Sequence, residues 1–517
     1  VLGPNDLLIG ISGNVDDALP LQAKLSRGGA AAAVLDPLKL PANFSGYDGI
    51  SALILDAPDF AALKLEQEQA IVQWVAGGGN LLVIPPATLI PSRDPIVDAL
   101  PCEIGVNQSA SVSAEGATTR PIALNGRLLR PRPGASAFGV AGQAGYLRWL
   151  GLGKIAVVPV NVSPLNFSDA TAANVFWRAL LKPLVELPAM KPPTSMAVAE
   201  EEQTVVAGPN AADTFGRGPR ESRAIRHVLE MMRADQPSRG GGWGSVLLGA
   251  AGIFFLLGPI DSIVLMRLGQ RPRNLLTLVG WLAMLGCIGG VVFANVHRGE
   301  ATASTFRLID QADDAAVAAT DVLAIRSTSA VSAKLSLNES EWWEPANQAA
   351  RSFSPDRFVD AQFHEDKTGC RPELASLNGA WPLSWHGELA SPGPAALRAA
   401  LHLDGSHLTG TLTNLSGSSM TEIQIVTAAG NFHVSQTLPA GGSLAINLQA
   451  DRNPIAFTDL PADVGDISPE RADRVDERVR EGQACVLAAM PDAAAVAPGV
   501  AVESHAQLLR AVASLGK

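Results

Sequence analysis

The sequence predicts a multidomain chain: an α/β domain, then an all-β domain, with a pair of membrane-spanning helices between them. Three observations carry this. Short continuous apolar runs alternate with helical periods over residues 1–187. Two apolar runs of about 20 residues each, the length a helix needs to cross a hydrocarbon core, fill 243–296. Period-two alternation between turn signals dominates 297–517. Residues 188–242 form a linker between the first domain and the helical pair.

In the first domain the runs Leu7–Ser12, Ala31–Asp36, Ser51–Asp56, Asn80–Pro85 and Lys154–Pro159 have the length and unbroken apolarity of strands buried on both faces. Leu63, Ala70, Ile71, Trp74 and Val75 share one face of a helix over 63–76, and Gly77-Gly78-Gly79 ends it. Strands alternating with helices imply a mainly parallel sheet. Residues 104–148 break the pattern and read as an insertion or edge hairpins, and 169–181 as the closing helix. Asp16, Asp17, Asp36, Asp56 and Asp59 follow successive strands. They gather at the carboxyl edge, where open α/β sheets bind ligands. They are a cation or polar-ligand pocket on one reading, and helix caps and turn residues on the other, which weighs more.

Leu-Ile-Leu-Asp (53–56), the segment Gln69 to Ile84, and Gly153 to Val160 followed by Ala173 to Leu181 resemble the class I glutamine amidotransferase-like fold. That resemblance implies a Cys nucleophile on a strand-to-helix elbow with a downstream His and Glu. This chain departs from it. The strand ending at Pro85 runs into Pro-Ala-Thr, Cys102 is the only cysteine of the domain, and no histidine precedes His227. Neither a Cys-His pair nor a Ser-His-Asp triad assembles from these residues, and an ordinary zinc site is disfavoured. No catalytic residue, metal site or cofactor is expected.

The linker holds a helical period, 221–234, in which Ile225, Val228, Leu229 and Met232 share a face flanked by Arg223, Arg226 and Arg233. It lies on a bilayer or packs on a neighbouring domain, and the sequence leaves both open. In the first apolar run, Gly258-Pro259 disturbs the helix locally. Asp261 stands near the loop arginines Arg267, Arg271 and Arg273, where an interfacial pair or cap is favoured over an ion path. The basic loop sits in the cytoplasm by the positive-inside rule. Residues 257–272 resemble a recurrent segment of uncharacterised bacterial membrane proteins, which carry an amidotransferase-like domain before it and a β-rich domain after it. The resemblance implies a bacterial cytoplasmic-membrane protein with both soluble domains extracytoplasmic.

In the last domain, strands are expected within 305–308, 322–326, 333–337, 399–403, 408–413, 422–427, 431–435 and 443–448, with another at 485–490. Asp404-Gly405 and Leu438 to Gly442 mark turns. An immunoglobulin-like β-sandwich is the expected form. Residues 505–515 read as a short amphipathic helix, and 463–482 as charged and exposed. His402 and His407 flank a turn without a third metal ligand. Trp342, Trp343, Trp381 and Trp385 read as core more than as a sugar or lipid contact. Cys370 and Cys485 are a disulfide or two isolated thiols.

The net charge of -11 disfavours general nucleic-acid binding. The chain opens on Val1 rather than Met, which reads as processing or truncation. The expected function is a non-catalytic envelope scaffold or assembly partner, in contact with the lipid bilayer and other envelope membrane proteins. The alternative is a ligand-binding sensor or degenerate hydrolase that uses the carboxyl edge of the first sheet.

Overall fold

Leu8–Gly13 (β1), Ala31–Leu35 (β2), Ala52–Asp56 (β3), Asn80–Ile84 (β4) and Gly153–Val157 (β9) are five- or six-residue runs, too short for stable helices. They pair in parallel in the order β2-β1-β3-β4-β9. The computed structural model describes residues 7–13, 31–56, 63–85, 94–112, 122–140, 143–159, 179–185, 224–225, 227–229, 263, 266–267, 302–326, 331–334, 341–345, 361–365, 370–377, 383–450, 467–491 and 501–516. Most residues of β1, β3, β4 and β9 are buried, as a sheet covered on both faces requires. Ser136–Val140 (β7) and Gln143–Leu150 (β8) extend the sheet antiparallel beyond β9. Cys102–Val112 (β5) and Ile122–Pro131 (β6) form a separate two-stranded ribbon. The expected insertion over 104–148 is therefore made of these two hairpins.

Leu65–Ala76 (α1) begins where the Gln67 side chain accepts the Lys64 backbone N–H at 2.9 Å, and stops at Gly77. It buries Ala70, Ile71, Trp74 and Val75 against Leu53, Leu55, Leu81 and Val83. Burial of each of the larger side chains among them is worth about 1.5–3 kcal/mol. Tyr47 packs beside Trp74 with ring centroids 5.7 Å apart. Pro95–Ala99 (α2) closes over Cys102 and Leu129. Of the expected closing helix, residues 179–181 are described and are helical.

The C-terminal part is β-rich but differs from the sandwich expected. Its strands are Thr302–Ala312 (β10), Ala315–Arg326 (β11), Val331–Lys334 (β12), Glu341–Pro345 (β13), Ala361–Glu365 (β14), Cys370–Leu377 (β15), Leu383–Pro394 (β16), Leu397–Asp404 (β17), His407–Asn414 (β18), Thr421–Thr427 (β19), Gly430–Val434 (β20), Ser443–Gln449 (β21), Gln483–Ala489 (β22) and Ala501–Gly516 (β23). Eleven of them join one mixed sheet, and β12, β15 and β14 form a small one. The mixture arises at β23, which runs parallel to β10 on one side and antiparallel to β22 on the other. It also touches β17 through Leu401–Leu515 and His402–Gly516. The helix expected at 505–515 is thus a strand. Leu508, Leu509, Arg510, Ala511 and Val512 are all buried, so the segment is covered on both faces, and that removes the alternation by which a strand is recognised.

The segment 463–482, expected to be exposed, contains the helix Pro469–Arg480 (α3), whose Arg471, Val475, Arg478 and Val479 are buried. In the linker, Ala224, Ile225, Val228 and Leu229 pack on Phe306, Leu308, Val322 and Leu508, which decides for domain packing over a bilayer at these positions. Trp343 is core, lying over its cross-strand partner Gly387, where a Cβ would stand 2.7 Å from the indole. Trp381 and the side chains of Trp342 and Trp385 lie outside the described residues.

The membrane expectation requires correction. Among the described residues no helix is long and apolar enough to cross a membrane. α1 and α3 have 12 residues each, about 18 Å of helix against a hydrocarbon core of about 30 Å. Two transmembrane helices, and the cytoplasmic-membrane localisation built on them, are withdrawn on that finding. Of 243–296, Ile263, Met266 and Arg267 are described, all helical and exposed. Gly258, Pro259, Asp261, Arg271 and Arg273 lie outside the described residues.

Gly153 opens β9 against the backbone at the end of α1. A Cβ there would lie 2.0 Å from the Val75 carbonyl oxygen and 2.2 Å from that of Gly79. Backbone cannot move aside as a side chain can. Gly153→Ala is expected to lower stability by about 2–3 kcal/mol, read from urea denaturation followed by tryptophan fluorescence.

Candidate functional site

The carboxyl edge of the parallel sheet is the first place to look for a site. Ser12 lies opposite Leu35 and Leu55, and Gly13 opposite Asp56. Asp36 follows Leu35 directly, so the backbone brings Asp36 and Asp56 to one level at the edge, on strands either side of β1. Two strand spacings separate them by roughly 10 Å, too far for one ion to bridge directly. Asp36 is engaged locally: its Oδ1 accepts the Leu38 N–H at 3.1 Å, and its Oδ2 lies 3.4 Å from Lys39 Nζ. This is the capping role. Asp16, Asp17, Asp59 and the Asp56 side chain lie outside the described residues.

Cys102 does not offer a nucleophile. It is buried at the start of β5, and burial pushes its thiol up to about 12 against a small opposing pull from Arg132. Such a thiol stays protonated at neutral pH, and the thiolate is the reactive form. Cys485 is likewise a buried free thiol, so the alternative of two isolated thiols holds for it. His402 pairs across its hairpin with Thr409, and His407 with Asp404, so the two histidines do not face one another. Among the described residues no group of three or more His, Cys, Asp or Glu side chains is placed to hold a metal ion.

The densest polar constellation is one the sequence did not suggest. It surrounds α3, where the α/β part meets the β-rich part. Lys154 of β9, 6% exposed, reaches Glu477 Oε1 at 2.6 Å and the Pro183 carbonyl at 3.2 Å. Its ammonium also lies 4.4 Å from the Trp149 ring centroid, and the Arg478 guanidinium 5.4 Å from it. The Trp149 indole N–H donates to Glu481 at 2.7 Å. Arg478 donates to the Gly151 carbonyl at 2.5 Å, and Arg474 to the Gly78 carbonyl at 3.3 Å. α3 thereby grips the turns at the ends of α1 and β8. Beneath these polar contacts Leu152 packs with Val475, Val479, Ala312, Val317, Cys485 and Val512.

The other side of α3 faces the large sheet. Arg471 donates to Glu388 at 2.5 Å and to the Thr320 hydroxyl at 2.9 Å, and stands 3.4 Å from Asp310. Asp310 in turn accepts from Arg510 of β23 at 2.5 Å. Burial alone would lower the Arg471 value, but Glu388 and Asp310 outweigh it and hold the guanidinium charged. Glu470 is pushed the opposite way from an ordinary carboxylate, upward, by burial and by Glu388. Burial works to raise Glu477, but its hydrogen bond and charge contact with Lys154 bring it below the usual range. Apart from Glu470, an exposed residue of the first turn of α3, these groups bind one element to another. The constellation can hold two bodies in register.

No family model matches the sequence, and a search of curated proteins finds no match, so the amidotransferase and envelope expectations gain no support from relatives. Among solved structures the chain has distant likenesses. One is to the exo-β-1,4-mannosidase Op5Man5 from Opitutaceae bacterium strain TAV5, at 14% identity and a TM-score of 0.24, spanning 34% of either chain. Another is to the Fcho1 Mu homology domain of Danio rerio with bound Eps15 peptide, at 10% identity and 0.25, covering 42% of this chain and 97% of that one. A third is to the mmIFT52 N-terminal domain, at 11% and 0.25, covering 35% and 99%. Likenesses this slight carry no argument about fold or activity.

Lys154→Met removes the cation that Glu477 and Trp149 share, and is expected to cost about 1–3 kcal/mol in urea denaturation, with faster proteolysis between the two parts. Elsewhere, Glu68 of α1 is 3% exposed, and burial together with the Asp94 charge raises it to about 7. A carboxyl raised in the folded state favours folding at low pH, and that contribution is lost as pH climbs from 4.5 through 7. Glu68→Gln should therefore leave stability at pH 5 nearly unchanged and raise it at pH 8 by about 1–2 kcal/mol, seen as a higher melting midpoint.

Proposed function

We propose that the chain is a non-catalytic scaffold in which α3 holds an α/β module and a β-rich module as one unit, presenting both to an assembly partner. The observation that carries this reading is the α3 clasp. Polar groups across it, Lys154, Trp149, Arg474, Arg478 and Glu477, are spent on the junction, and an apolar plug centred on Leu152 lies beneath them. A hinged enzyme would need a junction that opens, with few buried contacts. The buried, protonated Cys102 and the absence of histidine before His227 support the same reading.

A second reading rests on the strand order. β2-β1-β3-β4-β9 is the 2-1-3-4-5 order of flavodoxin-like sheets, whose ligands bind at the β1/β3 switch point. Gly13 and Asp56 lie at that point, which favours a ligand sensor as the alternative.

The two readings and an enzymatic one separate experimentally. Wild-type protein and Cys102→Ala are both expected to release no ammonia from glutamine, and Cys102→Ala to cost on the order of 1 kcal/mol of stability. Turnover that vanishes with Cys102→Ala overturns the scaffold. Partners captured by cross-linking in native extract should be retained by Asp36→Asn and lost with Trp149→Ala/Glu477→Gln, in which the modules are uncoupled. Loss with Asp36→Asn while the clasp variant keeps its partners favours the sensor.

A further inference from the structure

Five arginines on the β-rich side of the chain find carboxylates: Arg307 with Asp321, Arg398 with Asp314, Arg471 with Glu388, Arg478 with Asp313, Arg510 with Asp310. Two arginines of the α/β side do not. Arg132, just past β6, directs Nη1 at the carbonyls of Val97, Asp98 and Leu100, at 3.0, 2.9 and 3.3 Å. Arg148 of β8 reaches the same Asp98 carbonyl through Nη2 at 3.5 Å. Two guanidinium groups thus converge on one carbonyl oxygen. Neither has a carboxylate within ion-pair reach among the described residues, and Arg148 Nε is buried without a hydrogen-bond partner.

The carbonyls at the end of α2 explain part of this, because a helix C-terminus attracts cations. They account for Arg132, which takes three of them. They account poorly for Arg148, whose single contact is long. Carbonyl dipoles offer partial charge, so most of the charge on two adjacent cations is left uncompensated. Burial first, and then the Arg132 charge, hold the Arg148 guanidinium below its usual range, as expected of cations that repel without a counter-ion. Both bonds to Asp98 are exposed to solvent, while Arg148 Nε is buried. Two planar guanidinium groups that meet at one acceptor can share the oxygens of a tetrahedral oxyanion, each giving charge-assisted hydrogen bonds.

We propose that Arg132 and Arg148 form a binding site for a phosphate-type oxyanion, at the junction of α2, β6 and β8. This does not rest on the scaffold reading, because the site lies on groups the α3 clasp does not use. Two sources share this chemistry, free phosphate and the phosphate headgroup of a lipid. Bound anion would neutralise the pair and tie α2 to the β7–β8 hairpin.

The test uses the full chain at low ionic strength, with two arms. Calorimetric titration with inorganic phosphate should show one site with Kd of about 1 mM or tighter, weakened about tenfold or more in Arg148→Gln and unchanged in Lys39→Gln. Co-sedimentation with phosphatidylcholine vesicles, with and without phosphatidate, reads the second source as the difference between wild type and Arg148→Gln. Arg148-dependent binding in the first arm supports a free anion, and in the second arm alone a headgroup. Arg132→Gln, which also uncaps α2, is accompanied by Arg132→Lys, which keeps the charge and should keep part of the affinity. Binding in neither arm, or binding that Arg148→Gln leaves intact, overturns the proposal.

Discussion

Asp310 is the point on which the molecule turns. Its carboxylate is fully buried in β10, where an ionised group without partners would cost several kcal/mol. Arg510 from β23 donates to one of its oxygens, and Arg471 from α3 stands 3.4 Å from the other, which accepts no hydrogen bond and relies on charge alone. Those two arginines come from the strand that centres the large sheet and from the helix that joins the sheet to the α/β part. One carboxylate therefore requires both to be in place. A hydrophobic residue at 310 would pack without making that demand, so the ion pair specifies arrangement more than it adds stability.

The junction repeats the same logic at larger scale. α3 is strongly charged, and its charges divide between two destinations. Arg471 turns to Glu388, Arg474 and Glu477 reach across to Gly78 and Lys154, and Arg478 serves both sides through Asp313 and the Gly151 carbonyl. Its two valines, Val475 and Val479, fill the space between Leu152 and the sheet. A helix with so few apolar residues can be a core element because long arginine side chains bury their stems while their heads find acceptors.

This explains what could be read from the residues and what could not. β1 to β4, β9 and α1 were legible because burial there is apolar, and apolar runs and helical periods are local signals. The capping role of Asp36 was also legible, since a carboxylate two residues before a free backbone N–H needs no tertiary information. α3 was misread because its burial is ionic. The partners of Arg471 stand in β10 and β16, far away in sequence, and nothing local tells a paired arginine from a solvated one. β23 was misread because continuous burial erases alternation. The parallel pairing of β10 with β23 was invisible for a related reason, since register between distant strands is set by pairs such as Asp310 with Arg510.

The β10–β23 pairing also bears on how the chain reaches its fold. Asp310 and Arg510 are 200 residues apart. On a ribosome the first strand waits, with its edge uncovered, until the second emerges, whereas the parallel sheet of residues 8–157 has its strands close at hand. Closing so long a loop costs entropy before any contact repays it, which slows folding. Until then β10, the last strand in the order β13-β16-β11-β10, would have an open side, a template for pairing with another copy of itself. A chain interrupted anywhere between the two strands would keep that edge open.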